Sequence, residues 1–413
     1  MNVLCVDVGT SSLKAALIDD SGKVIARTRK KFLLINTEHA SKEWFPALCN
    51  SVKEIFDQNP QEKLDGICVS GNGPTLVAPT GETLLWNEKA LEIESESLFI
   101  PRLLTFKNKF PNAWENSEFI FGAPEYLVWL LTDKAVTILP EARYENTYWT
   151  KQALEKAGFT PDEIKKLPPF KTTSQKAACL SHKAVSFIGY ESNGITENLP
   201  VILGAPDFIS ALVGTGTVEE NTICDRAGSS EGINFCSREP LYGNNIRTLP
   251  SVIPGLWNAS VLLPDSGSKF AAFKQKIDRE LATTVDYNDL IDKLISSDGT
   301  NATLDQGKYL LIQIALDVKA ALETLRKAAF EKGIPFPDKM TITGGQASND
   351  RRNQMKADIT GIKIQVPACS DSELIGDAAI AFTGLGIYGS IQEASKKLTS
   401  SEKLFVPAVD DSF

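Results

Sequence analysis

The sequence contains little histidine and no closely spaced cysteine pair. Its 413 residues include two His and seven Cys, without any His-x-x-x-His or Cys-x-x-Cys spacing. This composition argues against a structural zinc site and against a catalytic triad built on histidine. The scattered cysteines are typical of buried free thiols. Catalysis is therefore expected to rest on carboxylates and a bound metal ion.

Long apolar runs and dense basic stretches are also scarce. No stretch reaches the roughly eighteen consecutive apolar residues of a membrane helix, and no signal-peptide pattern opens the chain, so we expect a cytoplasmic protein without a membrane partner. The formal net charge is −9 and the only dense basic run covers residues 27–31, so nucleic acid is not an expected partner. That run is interpreted as a solvated strand edge. The chain length supports two domains.

The first feature that is present is the N-terminal segment MNVLCVDVGTSSLKAALID. Residues 3–6 and 13–18 are predicted to form two strands, joined by a tight turn that exposes backbone N–H groups and the hydroxyls of Thr10, Ser11 and Ser12. Such a turn can bind a phosphate, and Asp7 beside it could hold Mg²⁺ through water. The alternative is an ordinary hairpin with a solvated aspartate.

A second segment of this kind covers residues 201–232, VILGAPDFISALVGTGTVEENTICDRAGSSEG. A buried strand over residues 201–203 opens into Gly-Ala-Pro-Asp207, an apolar stretch suits a helix, and Gly228-Ser229-Ser230 forms a further turn. Asp207 lies at a strand end, next to a helix start. Its alternative role is a helix N-cap, which needs no catalysis.

A third segment covers residues 341–367, TITGGQASNDRRNQMKADITGIKIQVP. It predicts a strand, a turn at Gly344-Gly345, a helix carrying Asn349 and Asn353, and a second strand. The glycines would let a flat ring approach the backbone, and the Asn349 amide offers a donor and an acceptor to a purine edge or a ribose. A plain strand-turn-helix crossover is the alternative.

In this order, the motifs resemble those of the FGGY carbohydrate kinases, relatives of glycerol kinase, xylulokinase and ribulokinase within the actin and hexokinase nucleotide-binding class. DVGTSSLKAALID resembles the family's first phosphate motif, GAPDFISALVGTG its catalytic motif and AGSSEG its second phosphate motif. ITGGQASNDRRNQMKADITG resembles the adenosine motif. ELIGDAAIAFTGLGIYGS resembles the C-terminal helix, which usually reads Gly-Ala-Ala where this chain has Gly376-Asp377-Ala378. The resemblance extends almost from end to end.

The resemblance implies an α/β fold of two ribonuclease H-like domains, as in actin and hexokinase-type ATPases, with an interdomain cleft that holds ATP and sugar. Residues 1–217 would form the sugar-binding domain with the first phosphate motif and the catalytic aspartate. Residues 218–413 would form the nucleotide-binding domain. The implied reaction is transfer of the ATP γ-phosphoryl group, with Mg²⁺, to a terminal hydroxyl of a small sugar or polyol. A homodimer is compatible with this interpretation.

The resemblance also implies roles for individual residues. Asp207 takes the position of the general base, Asp7 that of the metal-holding carboxylate, and Lys14 would point at the β- or γ-phosphate. The expected ATP-binding residues are Thr10, Ser11, Ser12, Lys14, Gly228, Ser229, Ser230, Gly267, Gly344, Gly345, Gln346 and Asn349. The expected substrate-binding residues are Asn72, Gly73, Pro74, Trp86, Asp207 and Phe208.

Two departures from the family pattern leave the sugar open. Ser-Gly-Gln-Met-His-Gly of the xylulokinase kind is replaced by SGNGPT at residues 70–75, and Trp-x-Asp-x-Arg by WNEKA at residues 86–90. Trp86 and Phe208 are as readily core residues as sugar platforms. A non-catalytic sugar or nucleotide sensor remains an alternative, although both Asp7 and Asp207 are retained. A further alternative is an ATPase that acts on a protein, but this hypothesis does not predict the Gly-Ala-Pro-Asp motif.

Overall fold

The structure is a computed structural model and describes residues 1–408. Its strands are β1 (Asn2–Val8), β2 (Ser12–Asp19), β3 (Val24–Lys31), β4 (Gly66–Gly71), β5 (Leu76–Val77), β6 (Thr83–Leu84), β7 (Thr137–Leu139), β8 (Phe170–Thr172), β9 (Lys176–Cys179), β10 (Pro200–Pro206), β11 (Thr222–Ala227), β12 (Glu231–Ser237), β13 (Arg247–Pro250), β14 (Trp257–Leu263), β15 (Lys339–Thr343), β16 (Lys363–Pro367) and β17 (Ser401–Phe405).

Its α-helices are α1 (Trp44–Gln58), α2 (Ile100–Lys109), α3 (Pro111–Asn116), α4 (Ala123–Thr132), α5 (Glu145–Tyr148), α6 (Lys151–Lys156), α7 (Pro161–Ile164), α8 (His182–Ile188), α9 (Asp207–Gly214), α10 (Ser266–Glu280), α11 (Tyr287–Ile295), α12 (Ala302–Glu331), α13 (Asp350–Thr360), α14 (Ser372–Gly384) and α15 (Ile391–Leu398). Within residues 1–408, no helix has the length and apolar character needed to cross a membrane.

The first unit contains Met1–Gly214 and Glu373–Leu398. Its main sheet has the order β3-β2-β1-β4-β10-β9, and β1, β4 and β10 run parallel. β1 is an almost continuous buried apolar run, as expected for a strand covered on both faces. The basic residues 27–31 lie on β3 at the sheet edge, which confirms their interpretation as an edge. The parallel strands bring their carboxyl ends to one edge of the sheet.

Helix α1 shows why this sheet is covered. Its buried residues Trp44, Leu48, Val52 and Ile55 recur at helical spacing and join one hydrophobic core with the β1 side chains. A helix was predicted over residues 42–57, and its first turn is a 3₁₀ turn at Ala40–Glu43. This core holds the site-bearing strand ends in place.

The second unit contains Thr215–Ser372 and the described residues from Thr399 to Ala408. Its sheet has the order β13-β14-β12-β11-β15-β16-β17, with β11 and β12 forming an antiparallel hairpin and β15 lying parallel to β11. Helix α12 packs on it through a buried stripe that includes Val318, Leu322 and Leu325. The predicted helix over residues 307–332 is therefore present, although it begins earlier, after its cap residue Asn301.

The α/β prediction is confirmed, but the division of the chain differs from the predicted boundary between residues 217 and 218. Helices α14 and α15 belong to the first unit rather than to one C-terminal block. The Ser395 hydroxyl donates to the Val213 carbonyl (2.5 Å), and the Tyr388 hydroxyl donates to the Asp20 carbonyl (2.6 Å). The sequence alone does not show that residues 373–398 pack in the first unit. The predicted sugar-binding and nucleotide-binding roles of the two domains remain predictions.

Candidate active site

Two candidate catalytic carboxylates lie at strand ends of the first unit. Asp7 is near the end of β1, and Asp207 is the first residue of α9, directly after β10. Strand β4 lies between β1 and β10 and pairs with both strands. It places Ser70 opposite Asp7. In open α/β sheets, ligands bind outside the carboxyl ends of the parallel strands. The predicted strand-turn-helix context of Asp207 is therefore observed.

The Asp7 carboxyl is buried at 3 % exposure, and its pKa is raised to about 7. Burial is the largest cause, Lys14 opposes it, and the carboxylates of Glu373 and Asp207 add to the rise. Lys14 Nζ lies 3.5 Å from Asp7 Oδ2 and 3.6 Å from Glu373 Oε2. One lysine thus faces two carboxylates at this strand end.

Magnesium binding can be tested against the atoms of Asp7. Its Oδ1 is buried and has no hydrogen-bond partner within residues 1–408. A water molecule of a hydrated Mg²⁺ ion would satisfy this oxygen, and Mg²⁺ commonly combines one or two carboxylates with substrate phosphates. The site fits the ion in this respect. Within residues 1–408, no group of three or more His, Cys, Asp and Glu side chains is arranged to hold a metal alone.

The predicted hairpin turn after β1 is present, and Gly9 N donates to Ser12 O across it (3.0 Å). Two of its three predicted phosphate-binding hydroxyls have protein donors. Trp86 Nε1 donates to Thr10 Oγ1 (2.8 Å), and Arg29 Nε donates to the buried Ser12 Oγ (2.9 Å). Ser11 is exposed. The structure therefore joins the candidate sugar residue Trp86 to the phosphate turn.

The other candidate sugar residues follow β4. Asn72 is buried at 3 % exposure, and its Nδ2 donates to the Val8 carbonyl (2.9 Å) while its Oδ1 accepts from the Thr75 hydroxyl. The Thr75 oxygen in turn accepts from the Trp86 backbone N–H (3.1 Å). Both the nitrogen and the oxygen of the Asn72 amide therefore form hydrogen bonds within the protein. We infer that Asn72 shapes the wall of the candidate sugar site. Gly73 and Pro74, joined by a cis peptide bond, come next.

Phe208 is half-buried directly after Asp207. Trp86 is 45 % exposed. An aromatic ring that is so open to solvent at this wall is available to a ligand.

In the second unit, the structure brings three predicted nucleotide segments together. The turn Gly228-Ser229-Ser230 joins β11 to β12. Its Gly228 carbonyl accepts from Gln346 Nε2, and its Ser229 carbonyl accepts from Ser268 N (2.9 Å). Gly267 packs directly against the Gly228 carbonyl, where a Cβ would overlap it. Hydrogen bonds to the carbonyls of Gly228 and Ser229 thus stabilise the turn.

The predicted adenosine turn contains two adjacent glycines with different surroundings. Gly344 has φ +93° and a Cβ there would meet the Ala227 carbonyl at 2.6 Å, whereas a Cβ at Gly345 meets nothing within 4 Å. Asn349 caps α13, accepting from Arg352 N (2.8 Å), and its Nδ2 donates to Asp292 Oδ1 (3.0 Å). Its amide is therefore engaged within the protein, and its contact with a purine or ribose remains a prediction.

Sequence reasoning missed a buried charge cluster in the second unit. Lys356 on α13 places Nζ 2.7 Å from Asp225 Oδ2 and 3.0 Å from Glu231 Oε1, and all three side chains are at most 1 % exposed. Burial raises the pKa of Asp225 to about 6, with Lys356 opposing and Glu231 adding to the rise. No sequence signal distinguishes this lysine, since a lysine on a helix is normally exposed.

Sequence reasoning also missed Glu373 and the role of Asp377 in the first unit. For Asp377 a signal existed, because it departs from the usual Gly-Ala-Ala pattern. The side chain is fully buried.

The turns with Gly-Thr-Ser-Ser and Gly-Ser-Ser sequences and the carboxylates at strand ends are the features expected of a phosphotransferase of the actin and hexokinase class. Residues 2–83 match the N-terminal domain of the FGGY family of carbohydrate kinases, and residues 310–385 match its C-terminal domain. The chain belongs to the FGGY family of carbohydrate kinases, as the motif resemblance indicated.

Named relatives and a solved structure agree with this assignment. The chain is 22 % identical to a xylulose kinase of Staphylococcus xylosus, over 95 % of this chain and 93 % of the relative. It is also 22 % identical to a gluconokinase of Bacillus licheniformis, over 97 % and 91 %. The ligand-bound xylulose kinase structure from Lactobacillus acidophilus superposes with a TM-score of 0.79 and 17 % identity, covering 98 % of this chain and 94 % of that one. The predicted fold class is confirmed.

Proposed function

We propose that this carbohydrate kinase transfers the ATP γ-phosphoryl group to a terminal hydroxyl of a small polyol or pentose-like sugar, with Asp207 as general base. The observation that carries the proposal is the placement of Asp207 and Asp7 at the carboxyl ends of β10 and β1, close enough for the Asp207 charge to raise the pKa of Asp7. One carboxylate faces the acceptor, and the other faces the nucleotide side.

Each residue then has a defined task. The transition state of phosphoryl transfer is loose, so Asp207 mainly orients the acceptor hydroxyl and takes its proton late. Backbone N–H groups of the two turns and the Lys14 ammonium neutralise phosphate oxygens. Mg²⁺, held through water by Asp7, would supply further neutralisation of phosphate charge. Alignment of donor and acceptor supplies much of the remaining rate enhancement.

The acceptor is selected by the wall formed by Asn72, Gly73, Pro74 and Trp86. Gly73-Pro74 stands where xylulokinase-type sequences carry Met-His, which removes hydrogen-bonding atoms and volume. A buried sugar hydroxyl left without a partner costs about 1–3 kcal/mol. D-Xylulose is therefore expected to be a poor substrate, although a xylulose kinase is among the relatives. Another small polyol or sugar should perform better.

The test is ADP release from ATP with and without a panel of ketopentoses, aldonates, polyols and deoxy sugars. Release that depends on one acceptor supports the kinase. Release that is independent of sugar would indicate an ATPase, and sugar binding without release would indicate a sensor. An ordinary efficiency with D-xylulose that Trp86→Ala leaves unchanged would show that other residues hold the sugar.

A further inference from the structure

Asp377 lies directly behind the candidate catalytic residues and has no role in the mechanism above. It is carried by α14 and is fully buried, with an exposed fraction of 0 %. Its Oδ2 accepts from the Ser70 hydroxyl and its Oδ1 from the Ser210 hydroxyl, both at 2.7 Å. The two serines are also fully buried. One carboxyl group thus connects strand β4 with helix α9, which lie far apart in the sequence.

Both partners of Asp377 are tied to the candidate catalytic residues. Ser70 on β4 is the register partner of Asp7 on β1. Ser210 lies three residues after Asp207 on α9, so the two share one face of that helix. The carboxyl of Asp377 therefore connects the strand position beside Asp7 with the turn of helix that begins at Asp207.

The neighbouring glycine explains how Asp377 reaches α9. A Cβ at Gly376 would overlap the Ser210 carbonyl, so α14 approaches α9 at backbone contact distance. Gly376 meets the carbonyl of Ser210 and Asp377 meets its hydroxyl. Helix α9 therefore contacts α14 at Ser210 through both its backbone carbonyl and its side-chain hydroxyl.

We propose that Asp377 is a positioning residue that sets Asp207 relative to Asp7 through the bridge Ser70–Asp377–Ser210. This inference rests on the proposed function for its kinetic consequences. Alanine at this position would leave both serine hydroxyls without this acceptor. A misplaced general base lowers the rate of phosphoryl transfer, whereas the sites that bind ATP and sugar keep their contacts.

The test compares Asp377→Ala with Asp377→Asn. The alanine variant is expected to lower kcat about tenfold or more, while KM for ATP and for the acceptor changes less than about threefold. Asparagine keeps the shape, one acceptor oxygen and a group that can donate to the second serine, so it should restore most of kcat. An unchanged kcat in Asp377→Ala would overturn the proposal, and so would Asp377→Asn being as slow as the alanine variant.

A triple variant separates positioning from the cost of unpaired hydroxyls. Asp377→Ala combined with Ser70→Ala and Ser210→Ala leaves no buried hydroxyl unsatisfied at the bridge, so its stability should recover. Its kcat should stay low, because the bridge is still missing. A return of kcat to the wild-type value would overturn the proposal.

Amide hydrogen exchange tests the same bridge without a measurement of enzyme activity. Amides of residues 207–214 should exchange roughly tenfold faster in Asp377→Ala than in the wild type, while β1 and α1 remain unchanged. Unchanged exchange in α9 would overturn positioning even if the kinase assignment holds. Faster exchange with no sugar-dependent ADP release in the wild type would instead support the bridge and contradict the proposed function. Ser210→Ala, which removes one arm only, is the second variant if Asp377→Ala does not fold.

Discussion

Each unit of the chain buries a cluster of charged side chains, and the two clusters differ in charge balance. The acidic cluster of the first unit sets Asp7 and Glu373 around Lys14. The Asp377 carboxyl group, whose pKa is raised by burial, lies near enough for the charges of Asp7 and Glu373 to add to the rise. The balanced cluster of the second unit sets Asp225 and Glu231 around Lys356, with the buried Arg352 adding a second positive charge. The first cluster has an excess of carboxylates, and the second has none.

This difference separates a functional from a structural use of buried charge. Opposite charges that match each other are stabilised by their partners, and removing one leaves an uncompensated buried charge. Carboxylates in excess of the cations around them gain from a further cation or a proton, which is typical of active sites. Burial raises the pKa of Asp377 well above its usual range, as it does that of Asp7. The acidic cluster is thus expected to control activity, and the balanced cluster to control stability.

Lys356→Met gives the largest expected effect on stability. It leaves Asp225 and Glu231 buried without their cation, so the free energy of unfolding should fall by about 3–5 kcal/mol. The measurement is urea unfolding of the wild type and the variant. The double variant Asp225→Asn, Lys356→Met is the matched control: it leaves Glu231 and Arg352 as one pair of opposite charges and should recover most of the loss.

The same double variant also tests whether the balanced cluster affects turnover. Its turnover should stay within about threefold of wild type, less than 1 kcal/mol in the barrier. A folded double variant with a tenfold or greater loss of turnover would show that the balanced cluster also serves catalysis.

Gly345→Val tests the nucleotide side of the second unit. A Cβ fits at this position without contact, so the fold should tolerate the change, but the branched side chain would occupy the space of the adenosine. ATP affinity is expected to fall about tenfold or more, at least 1.4 kcal/mol. Calorimetry with ATP and with the acceptor separately is the measurement, and acceptor binding without nucleotide should be unchanged.

Gly344→Val is the matched contrast for this prediction. Its positive φ and the nearby Ala227 carbonyl make any side chain strained there, so this variant should lose melting temperature. If Gly345→Val keeps wild-type ATP affinity, the adenosine site lies elsewhere.

Asp7→Asn tests whether the buried negative charge of Asp7 destabilises the fold. The folded protein binds the Asp7 proton more tightly than the unfolded chain, because the pKa rises from 3.8 to about 7. Its contribution to stability is therefore greatest below pH 3.8, falls as the pH rises to about 7 and is constant above that. Without nucleotide and with a chelator, the asparagine variant should melt about 2 °C or more above wild type at pH 8. The difference should shrink towards pH 4.

An aspartate with the opposite shift serves as control for Asp7→Asn. The pKa of the Asp19 carboxyl is lowered: burial opposes the shift, and hydrogen bonds from Ser21 and Lys23 outweigh it. Its ionised form therefore stabilises the fold above the unfolded pKa, and this contribution is lost as the pH falls through the lower, folded value. Asp19→Asn should melt below wild type at pH 8. An Asp7→Asn variant that also melts lower at pH 8 would contradict an unbalanced acidic cluster.

Short motifs made much of the site accessible to prediction. The hairpin after Asp7, the strand-turn-helix around Asp207 and the turn at Gly228 each combine an apolar strand with residues that mark a turn. Their geometry is local, so it can be read from a few consecutive residues. Gly228, Gly267 and Gln346, which the family resemblance assigns to ATP binding, contact one another in the structure, and their binding of ATP remains a prediction.

Features that depend on distant packing could not be predicted. The hydrogen bonds that engage the Asn72 and Asn349 amides involve Val8 and Asp292, which lie far from them in sequence. The return of α14 to the first unit likewise depends on the contact of Gly376 with Ser210. Helices α10 and α11 were not predicted, because their apolar residues pack mainly on each other and on α12 in a small separate core.

The most direct test of the proposed mechanism is Asp207→Asn, measured as turnover on the best acceptor together with ATP affinity by calorimetry. Asparagine keeps the shape of the side chain but cannot take the hydroxyl proton. Turnover should fall about a hundredfold or more, the scale of a positioned general base, while ATP affinity stays nearly unchanged. The control is Asp133→Asn, an exposed left-handed position after α4 that tolerates asparagine and should be neutral. Wild-type turnover in Asp207→Asn would contradict the assignment of the catalytic residue.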